Sequence, residues 1–418
     1  MNSLRVAKTP SAIVTTTLFV TILVFSIVPA GPAGAGGDWP EFLGPNRDGI
    51  STEKGWSFDW PKEGPKKLWK ASLGTGYSSM SIKDSRVYAM GYVDETDRLY
   101  CLDANTGKEI WKYSYPCKTF TNNHQGGPAC TPTVAGGSVY ILSRTGEVHC
   151  VEAATGNRVW SKNLQKEFAS TIPKWGFCCS PLVEEDLLIL DVGPVVALNK
   201  PSGDIAWSSE DYGAGYSSPV ALDLHGKRVV ALINAFGLVI LNTRTGAEVS
   251  KFRWETNSNI NVAVPVIEGD KFFISSAYDT GCTLVRVDGD GKPHSLWENV
   301  NLKNHFTSSI LWKGHLYGFD GNVGNAPFKC VELETGEVKW ESAETKDGSL
   351  LMADGKLIIL TGQGELVIAE TSPEEFKEIS RNQVLGGQCW TVPAATGGRI
   401  YCRNSDGELV CLDASAGG

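Results

Sequence analysis

The chain has 418 residues, and its 46 glycines and 13 tryptophans are typical of a turn-rich, all-β globular protein. The formal net charge is −9 and no basic stripe is present, so we expect no nucleic-acid partner. Eleven cysteines leave at least one thiol unpaired, and the sequence has neither a C-x-x-C-H haem motif nor a zinc-type pair of C-x-x-C motifs. We therefore predict no metal site.

Residues 1–36 have the features of a secretory signal peptide. Arg5 and Lys8 precede an apolar run at residues 12–28, and an A-x-A cleavage site follows at residues 33–35. An uncleaved membrane anchor is the alternative, because the apolar run is long for a signal peptide. The first cysteine is Cys101, so we expect no lipid anchor. Cleavage would remove two basic residues and change the formal net charge from −9 to −11.

Residues 37–66 are rich in glycine and proline, and we predict an ordered N-terminal arm without regular structure. The next residues, Leu68-Trp69-Lys70, resemble the second half of a repeat whose first half is missing.

The repeat itself is clearest at residues 99–111, LYCLDANTGKEIW, which predict a strand, a tight turn with a glycine at positive φ, and a second strand. Eight copies recur at intervals of about 40–50 residues, the spacing of β-propeller blades. Their turn positions are Gly107, Gly156, Gly203, Gly246, Gly291, Gly336, Glu374 and Gly417.

One repeat contains four predicted strands, at residues 77–82, 86–92, 97–103 and 108–113. The eighth copy ends at Gly417 without a fourth strand, and Leu68-Trp69-Lys70 can supply it. Such closure leaves no exposed sheet edge at the seam. We predict an eight-bladed β-propeller of four-stranded antiparallel blades over residues 67–418.

A tryptophan follows most of the turns, and we expect these rings to wedge between neighbouring blades. The predicted docking residues are Trp69, Trp111, Trp160, Trp207, Trp297 and Trp340. After the fourth turn the candidates are Phe252 or Trp254, and after the seventh only Phe376.

The pattern C-x-D-x-x-T-G-x-x-x-W at residues 101–111 resembles the docking repeat of the pyrroloquinoline-quinone (PQQ) propeller superfamily. That superfamily includes quinoprotein alcohol dehydrogenases and the non-catalytic assembly factor BamB. The resemblance covers residues 64–418, and residues 39–49 are similar to the opening segment of secreted PQQ-like proteins. It implies a functional face at the ring axis, on the loops that lead into each innermost strand.

These lead-in loops are rich in aromatic and amide side chains, which suits a binding cavity. The candidate binding residues are Tyr77, Asn123, His124, Trp175, Cys178, Cys179, Tyr216, Asn259, Asn261, His305, Gln388 and Trp390. Cys178-Cys179 is similar to the vicinal disulfide of quinoprotein methanol dehydrogenases. Against that role, Cys130 takes the equivalent position in the preceding blade, where a small buried residue fits.

The leading interpretation is a non-catalytic, BamB-like binding or assembly scaffold, secreted or periplasmic, with a protein or envelope-component partner and no cofactor or catalytic residue. We expect a monomer. The alternative is a dehydrogenase that uses PQQ and Ca²⁺ beside Cys178-Cys179. Calcium requires carboxylate ligands, and the loops offer only Asp211, Glu255 and Asp347, each in a different blade. Asp288-Gly-Asp-Gly291 coincides with a repeat turn and is interpreted as a turn, not a calcium loop.

Overall fold

The computed structural model describes residues 37–119, 121 and 124–416 in addition to Met1. The chain divides into Met1–Gly34 and Ala35–Gly418, and all described residues except Met1 belong to the second unit. Gly417 and all of the predicted signal peptide except Met1 therefore lie outside the described residues. Within the described ranges, no helix has the length and apolar character that a membrane crossing requires.

The strands form eight antiparallel sheets of four strands, arranged as the blades of a β-propeller, as predicted. From the innermost strand outward, blades 1–4 consist of Ser81–Lys83, Arg86–Val93, Thr96–Asp103 and Glu109–Pro116; Thr133–Ala135, Ser138–Leu142, Glu147–Glu152 and Arg158–Asn163; Leu182–Glu184, Leu187–Asp191, Pro194–Asn199 and Ile205–Asp211; Val220–Leu224, Lys227–Ile233, Gly237–Asn242 and Glu248–Arg253.

Blades 5–8 continue the same order with Val266–Glu268, Lys271–Ser276, Gly281–Val287 and Pro293–Asn299; Ile310–Trp312, His315–Phe319, Phe328–Glu332 and Val338–Ser342; Gly348–Ala353, Lys356–Thr361, Glu365–Glu370 and Glu378–Gln383; Ala394–Thr396, Arg399–Arg403, Glu408–Asp413 and Lys67–Ser72. The described helices are one short α-helix, Leu164–Phe168, and one 3₁₀ turn, Asn257–Asn259.

The ring closes as the half-repeat predicts. The N-terminal strand Lys67–Ser72 pairs antiparallel with Glu408–Asp413 and completes blade 8. Arg403, which is fully buried, reinforces the seam because its guanidinium donates to the carbonyls of Gly74, Ser78 and Met90 around blade 1.

The inner strand of blade 1 is shorter than predicted and spans Ser81–Lys83. The preceding residues do not pair within their own blade. Instead the amides of Tyr77 and Ser78 both donate to the carbonyl of Pro128 in blade 2, at 2.8 and 2.9 Å. The first residues of the predicted strand therefore form backbone hydrogen bonds with the next blade.

The N-terminal arm crosses the ring on the face opposite the lead-in loops. It contains one regular element that the sequence does not predict, Ile50–Ser51, which pairs parallel with Gly348–Ala353 as a fifth strand of blade 7. Glu53 accepts from the amide of Gly397 in blade 8, and Trp39 bridges to Ile82 in blade 1. The arm thus contacts several blades and partly fills the axial channel.

Six of the eight joints between blades in the described residues contain a tryptophan ring packed against the neighbouring blade's turn. Each indole N–H donates to a turn carbonyl, as from Trp69 to Ala104 O at 2.9 Å and from Trp111 to Ala153 O at 3.1 Å. The remaining pairs are Trp160 with Lys200 O, Trp207 with Thr243 O, Trp297 with Leu333 O and Trp340 with Ser372 O.

At the other two joints no aromatic candidate takes the docking register, although Trp254 is buried between blades 4 and 5. Ser250 and Ser380 take the strand register that tryptophan has elsewhere, since they pair with Ile240 and Ile368. The indole of Trp254 donates to Ser276 Oγ at 3.1 Å, within the next blade. Phe376 lies in the turn before the outer strand, where it packs on Trp340 at a ring distance of 5.7 Å. Phe252, two residues beyond Ser250, is not at the docking position.

Candidate functional site

The lead-in loops are fixed to one another by hydrogen bonds that run from blade to blade around the axis. The amide of Ser79 donates to Thr131 Oγ1 at 3.2 Å, that of Thr131 to Ser180 Oγ at 2.9 Å, and that of Ser180 to Ser218 Oγ at 2.9 Å. Three successive joints therefore share one pattern. The side chains carried by these loops project from a preorganised wall.

The loops surround an axial pocket of about 270 Å³. Seven of the predicted binding residues line it, namely Tyr77, His124, Trp175, Cys178, Tyr216, His305 and Trp390. The other lining residues are Phe42, Ser79, Gly127, Ala129, Ser180, Ser218, Ile260, Val262, Tyr278, Phe306, Ser308, Val323 and Val392.

Nine of the twenty residues that line the pocket carry aromatic rings. Successive ring centroids are 5.1 Å apart for His124–Tyr77, 5.8 Å for Tyr77–Trp390, 5.4 Å for Trp390–Phe306, 5.6 Å for Phe306–His305 and 5.1 Å for His305–Tyr278. A second pair, Trp175–Tyr216, is 5.7 Å apart. Such rings offer a large, rigid contact area.

The arm contributes one residue to the pocket lining. Phe42 lines the pocket, and Leu43 packs beside it against Val220 and Val264 in the axial channel. The buried guanidinium of Arg47 holds this segment in place, because it donates to Pro219 O at 2.9 Å and pairs with Glu41 at 2.7 Å. The arm is therefore held in place where it contributes to the pocket lining.

The titratable groups in the wall are neutral near pH 7. Burial lowers the pKa of His305 to about 4, and its Nε2 lies 3.0 Å from Tyr278 Oη. Burial also lowers the pKa of His124, whose Nδ1 accepts from the amide of Gly126 at 2.9 Å. Burial raises the pKa of the Cys178 thiol to about 12, which makes it a poor nucleophile.

Asn259, Asn261 and Gln388 are not among the residues that line the pocket. Asn261 is buried between blades, where its amide donates to Asn234 O at 2.8 Å, and Asn259 is exposed in the 3₁₀ turn. Gln388 accepts from Tyr77 Oη at 3.3 Å, and Asn123 lies outside the described residues.

The adjacent cysteines have different environments, and all eleven cysteines are free thiols. Cys178 faces the pocket, whereas Cys179 is fully buried behind it and its sulfur accepts from the amide of Asp191 at 3.4 Å. Cys130 makes the same contact in blade 2, with the amide of Leu142 at 3.3 Å. This equivalence fits a packing role for Cys179.

The acidic residues near the loops make local contacts. Asp211 accepts from the amide of Gly213 at 2.8 Å, Glu255 pairs with Arg253, and Asp347 accepts from the amide of Gly324 at 2.9 Å.

The sequence does not single out a fourth acid, Asp191, which is fully buried behind Cys179. Burial raises its carboxyl pKa to about 7, although the amides of Gly193 and Gly215 donate to it. In the described ranges, no three His, Cys, Asp or Glu side chains converge as a metal site.

The pocket residues do not fit PQQ and Ca²⁺. Calcium takes carboxylate and carbonyl oxygens, and a carboxylated quinone needs cationic partners. None of the described residues that line the pocket is Asp, Glu, Lys or Arg. Its donor set consists of tyrosine and serine hydroxyls, uncharged imidazoles and indole N–H groups.

Sequence reasoning missed several residues of the wall. Phe306 is adjacent to the candidate His305 and shares its lead-in loop. Tyr278 comes from the hairpin between the second and third strands of blade 5, and Phe42 comes from the arm. An apolar Phe-Leu pair inside a glycine- and proline-rich arm is the one signal that could have placed Phe42 at a buried site.

Eight four-stranded blades, with tryptophan–turn contacts at six of their joints, define this chain as a PQQ-like repeat propeller. The chain belongs to the family described as outer membrane protein assembly factor BamB, whose model matches residues 53–122, 118–342 and 329–418. It is similar to outer membrane protein assembly factor BamB from Yersinia pestis, with 25% identity over 374 residues, covering 82% of this chain and 88% of the relative.

Two solved structures share the fold. BamB from Moraxella catarrhalis matches with a TM-score of 0.62 and 17% identity, covering 84% of this chain and 99% of that one. Quinohemoprotein alcohol dehydrogenase from Comamonas testosteroni matches with a TM-score of 0.65 and 13% identity, covering 91% of this chain and 81% of that one. The fold is thus common to assembly factors and dehydrogenases, so the site must discriminate between the functions.

Proposed function

We propose that this protein is a non-catalytic binding or assembly scaffold of the cell envelope, secreted or periplasmic, that holds a protein partner at the axial pocket. Membership of the BamB family supports the scaffold class. Residues 1–36 supply the export signal in this proposal, residues 37–66 the arm, and the propeller acts as a monomer.

The uncharged, aromatic wall of the pocket carries the proposal. Its rings are fixed by contacts among Tyr77, Trp390 and Phe306, and the two histidines beside them have lowered pKa values. Such a wall binds an apolar or aromatic group by shape and desolvation. None of the described residues that line it is a carboxylate that could bind a metal ion, so in this proposal the geometry favours binding over catalysis.

The test uses Trp390→Ala, because this ring contacts both Tyr77 and Phe306. The matched control is Trp312→Ala, which removes another half-buried tryptophan, at the end of the inner strand of blade 6. Each variant and the wild type are used to capture partners from envelope extract. We expect a partner retained by wild type and by Trp312→Ala but lost with Trp390→Ala.

Two results would contradict the proposal. Equal capture of the same partner by Trp390→Ala would show that the pocket is not the contact. Native protein that contains PQQ and calcium and reduces a dye with alcohols would establish the dehydrogenase alternative instead.

A further inference from the structure

The arm forms hydrogen bonds with the innermost strands at one repeated position, the residue next to the last in the strand. In blades 1, 2 and 7 the backbone amide of this residue points away from its own blade and donates to a carbonyl of the arm. The pairs are Ile82 with Trp39 O at 2.7 Å, Val134 with Pro40 O at 2.8 Å and Met352 with Gly49 O at 2.8 Å. All three of these strand residues are buried. The arm therefore pairs with the free edge of three blades.

Blades 5 and 6 have the same edge without the arm. Ile267 and Leu311 are the middle residues of their three-residue inner strands, as Ile82 is in blade 1, and all three pair in the same register with the second strand. Because antiparallel pairing alternates, the amides of Ile267 and Leu311 also point away from their own blades. Within the described ranges neither amide is hydrogen-bonded outside its blade, and both residues are half-buried. These two strand edges are therefore unpaired.

A groove of about 250 Å³ runs beside these edges, between the arm and the inner strands of blades 4–6. Ile267 and Leu311 both line it, and ten of its fourteen lining residues are apolar. The charged lining residues, Arg47 and Asp48, form hydrogen bonds with other groups of the arm. The groove shares no lining residue with the axial pocket. An apolar surface therefore adjoins two unpaired strand edges.

We propose that this groove binds an extended, apolar segment of a partner protein, two successive carbonyls of which accept from the amides of Ile267 and Leu311. The arm has this arrangement on blades 1 and 2, where the successive residues Trp39 and Pro40 bond to successive blades. Backbone pairing supplies affinity in such a complex, and the side chains of the bound segment contact the apolar wall.

The occupant comes from another protein and not from a second copy of this chain. In the part of the chain that the structure describes, the arm is already bonded to its own ring, so a second copy offers no free arm. The groove is a contact surface in addition to the axial pocket, and it does not rest on the function proposed there.

The test measures amide hydrogen exchange of the full chain at single residues by mass spectrometry. In the free protein we expect the amides of Ile267 and Leu311 to exchange at least about tenfold faster than those of Ile82 and Val134, which the arm protects. The probe is the peptide acetyl-Gly-Asp-Trp-Pro-Glu-Phe-amide, which copies residues 37–42 of the arm. It should slow exchange at Ile267 and Leu311 in a saturable manner. The same peptide with D-proline cannot follow the extended path and should not.

Proline variants provide a second measurement. Leu311→Pro removes the edge amide without breaking a bond inside its blade, and we expect it to bind the probe at least about tenfold more weakly. The matched control is Val183→Pro, which changes the same strand position in blade 3, outside the groove, and should bind the probe as the wild type does. Val134→Pro removes the bond to Pro40 O and should lower the thermal midpoint further than Val183→Pro does.

Four results would overturn the inference. The first is exchange at Ile267 and Leu311 that is as slow as at Ile82 in the free protein. The second is the absence of saturable protection by the probe, and the third is equal protection by the D-proline peptide or equal binding to Leu311→Pro. The fourth is protection that rises with the concentration of the protein alone, which would identify a second copy as the occupant.

Discussion

The contact between Trp111 and Gly156 allows the energy of one blade joint to be measured. The Trp111 ring is 9% exposed, and its N–H donates to Ala153 O. Burial of 150–250 Å² at about 25 cal/mol per Å² corresponds to about 4–6 kcal/mol. Large aromatic truncations cost about 3–5 kcal/mol in practice. We therefore expect Trp111→Ala to lower the free energy of unfolding by about 3–5 kcal/mol.

Gly156 is the second position of a double-mutant cycle with Trp111. It has φ of 75°, and a Cβ there would lie 2.5 Å from Trp111 Cε3. Gly156→Ala therefore carries a backbone cost of about 1–2 kcal/mol and a packing cost of about 1–3 kcal/mol. The packing cost should disappear in the Trp111→Ala background. We expect the double variant to lose about 1–3 kcal/mol less than the sum of the single variants.

Urea unfolding followed by far-UV circular dichroism gives these differences without relying on the fluorescence of the mutated ring. Gly136→Ala is the control for the backbone term, because Gly136 has φ of 57° and a Cβ added there would meet nothing within 4 Å. Additive losses for Trp111→Ala and Gly156→Ala would refute the reasoning, since the ring and the turn would then not be in energetic contact.

Two further predictions concern a buried acid and the seam. The pKa of Asp191 is about 7 in the folded protein and about 4 in the unfolded chain. Its contribution to the free energy of unfolding is therefore complete below pH 4 and is lost as pH rises through 7, a decrease of up to about 4 kcal/mol. Asparagine takes the equivalent position in blade 4, as Asn234. We expect Asp191→Asn to flatten the pH dependence of the free energy of unfolding between pH 5 and 8, measured by urea titration. An unchanged pH dependence would contradict the raised pKa of Asp191. Deletion of residues 1–72 leaves Glu408–Asp413 without its outer partner, and size-exclusion chromatography should show oligomers or aggregate, whereas an equally stable monomer would refute the seam.

The repeat was predictable because its chemistry is local. A glycine at positive φ and a tryptophan a few residues later specify one turn and one joint, so eight copies specify a ring. The half-repeat at Trp69 similarly predicted the seam. The lead-in loops placed seven candidates on one pocket, because each precedes an inner strand directed toward the axis.

The features of the fold and the pocket that the sequence did not predict depend on contacts between distant parts of the chain. Tyr77 donates a hydrogen bond to the next blade, and the arm contacts several blades. A local sequence pattern cannot predict such contacts. Ser250 and Ser380 look alike in sequence as positions that lack tryptophan. Only the fold shows that Ser57 of the arm donates to Ala414 O at one of these joints and that His225 bonds to Val287 O at the other.

The course of the arm imposes an order on folding. Residues 50–51 pair with a strand that begins at Gly348, and residues 67–72 pair with one that ends at Asp413. Because synthesis proceeds from the N-terminus, these early segments must wait for nearly the whole chain before they can bond. Their unpaired edges make the unfinished polypeptide aggregation-prone until its last blade is complete. Pairing of these N-terminal segments with their late partners, rather than formation of any early blade, is thus the step that closes the ring.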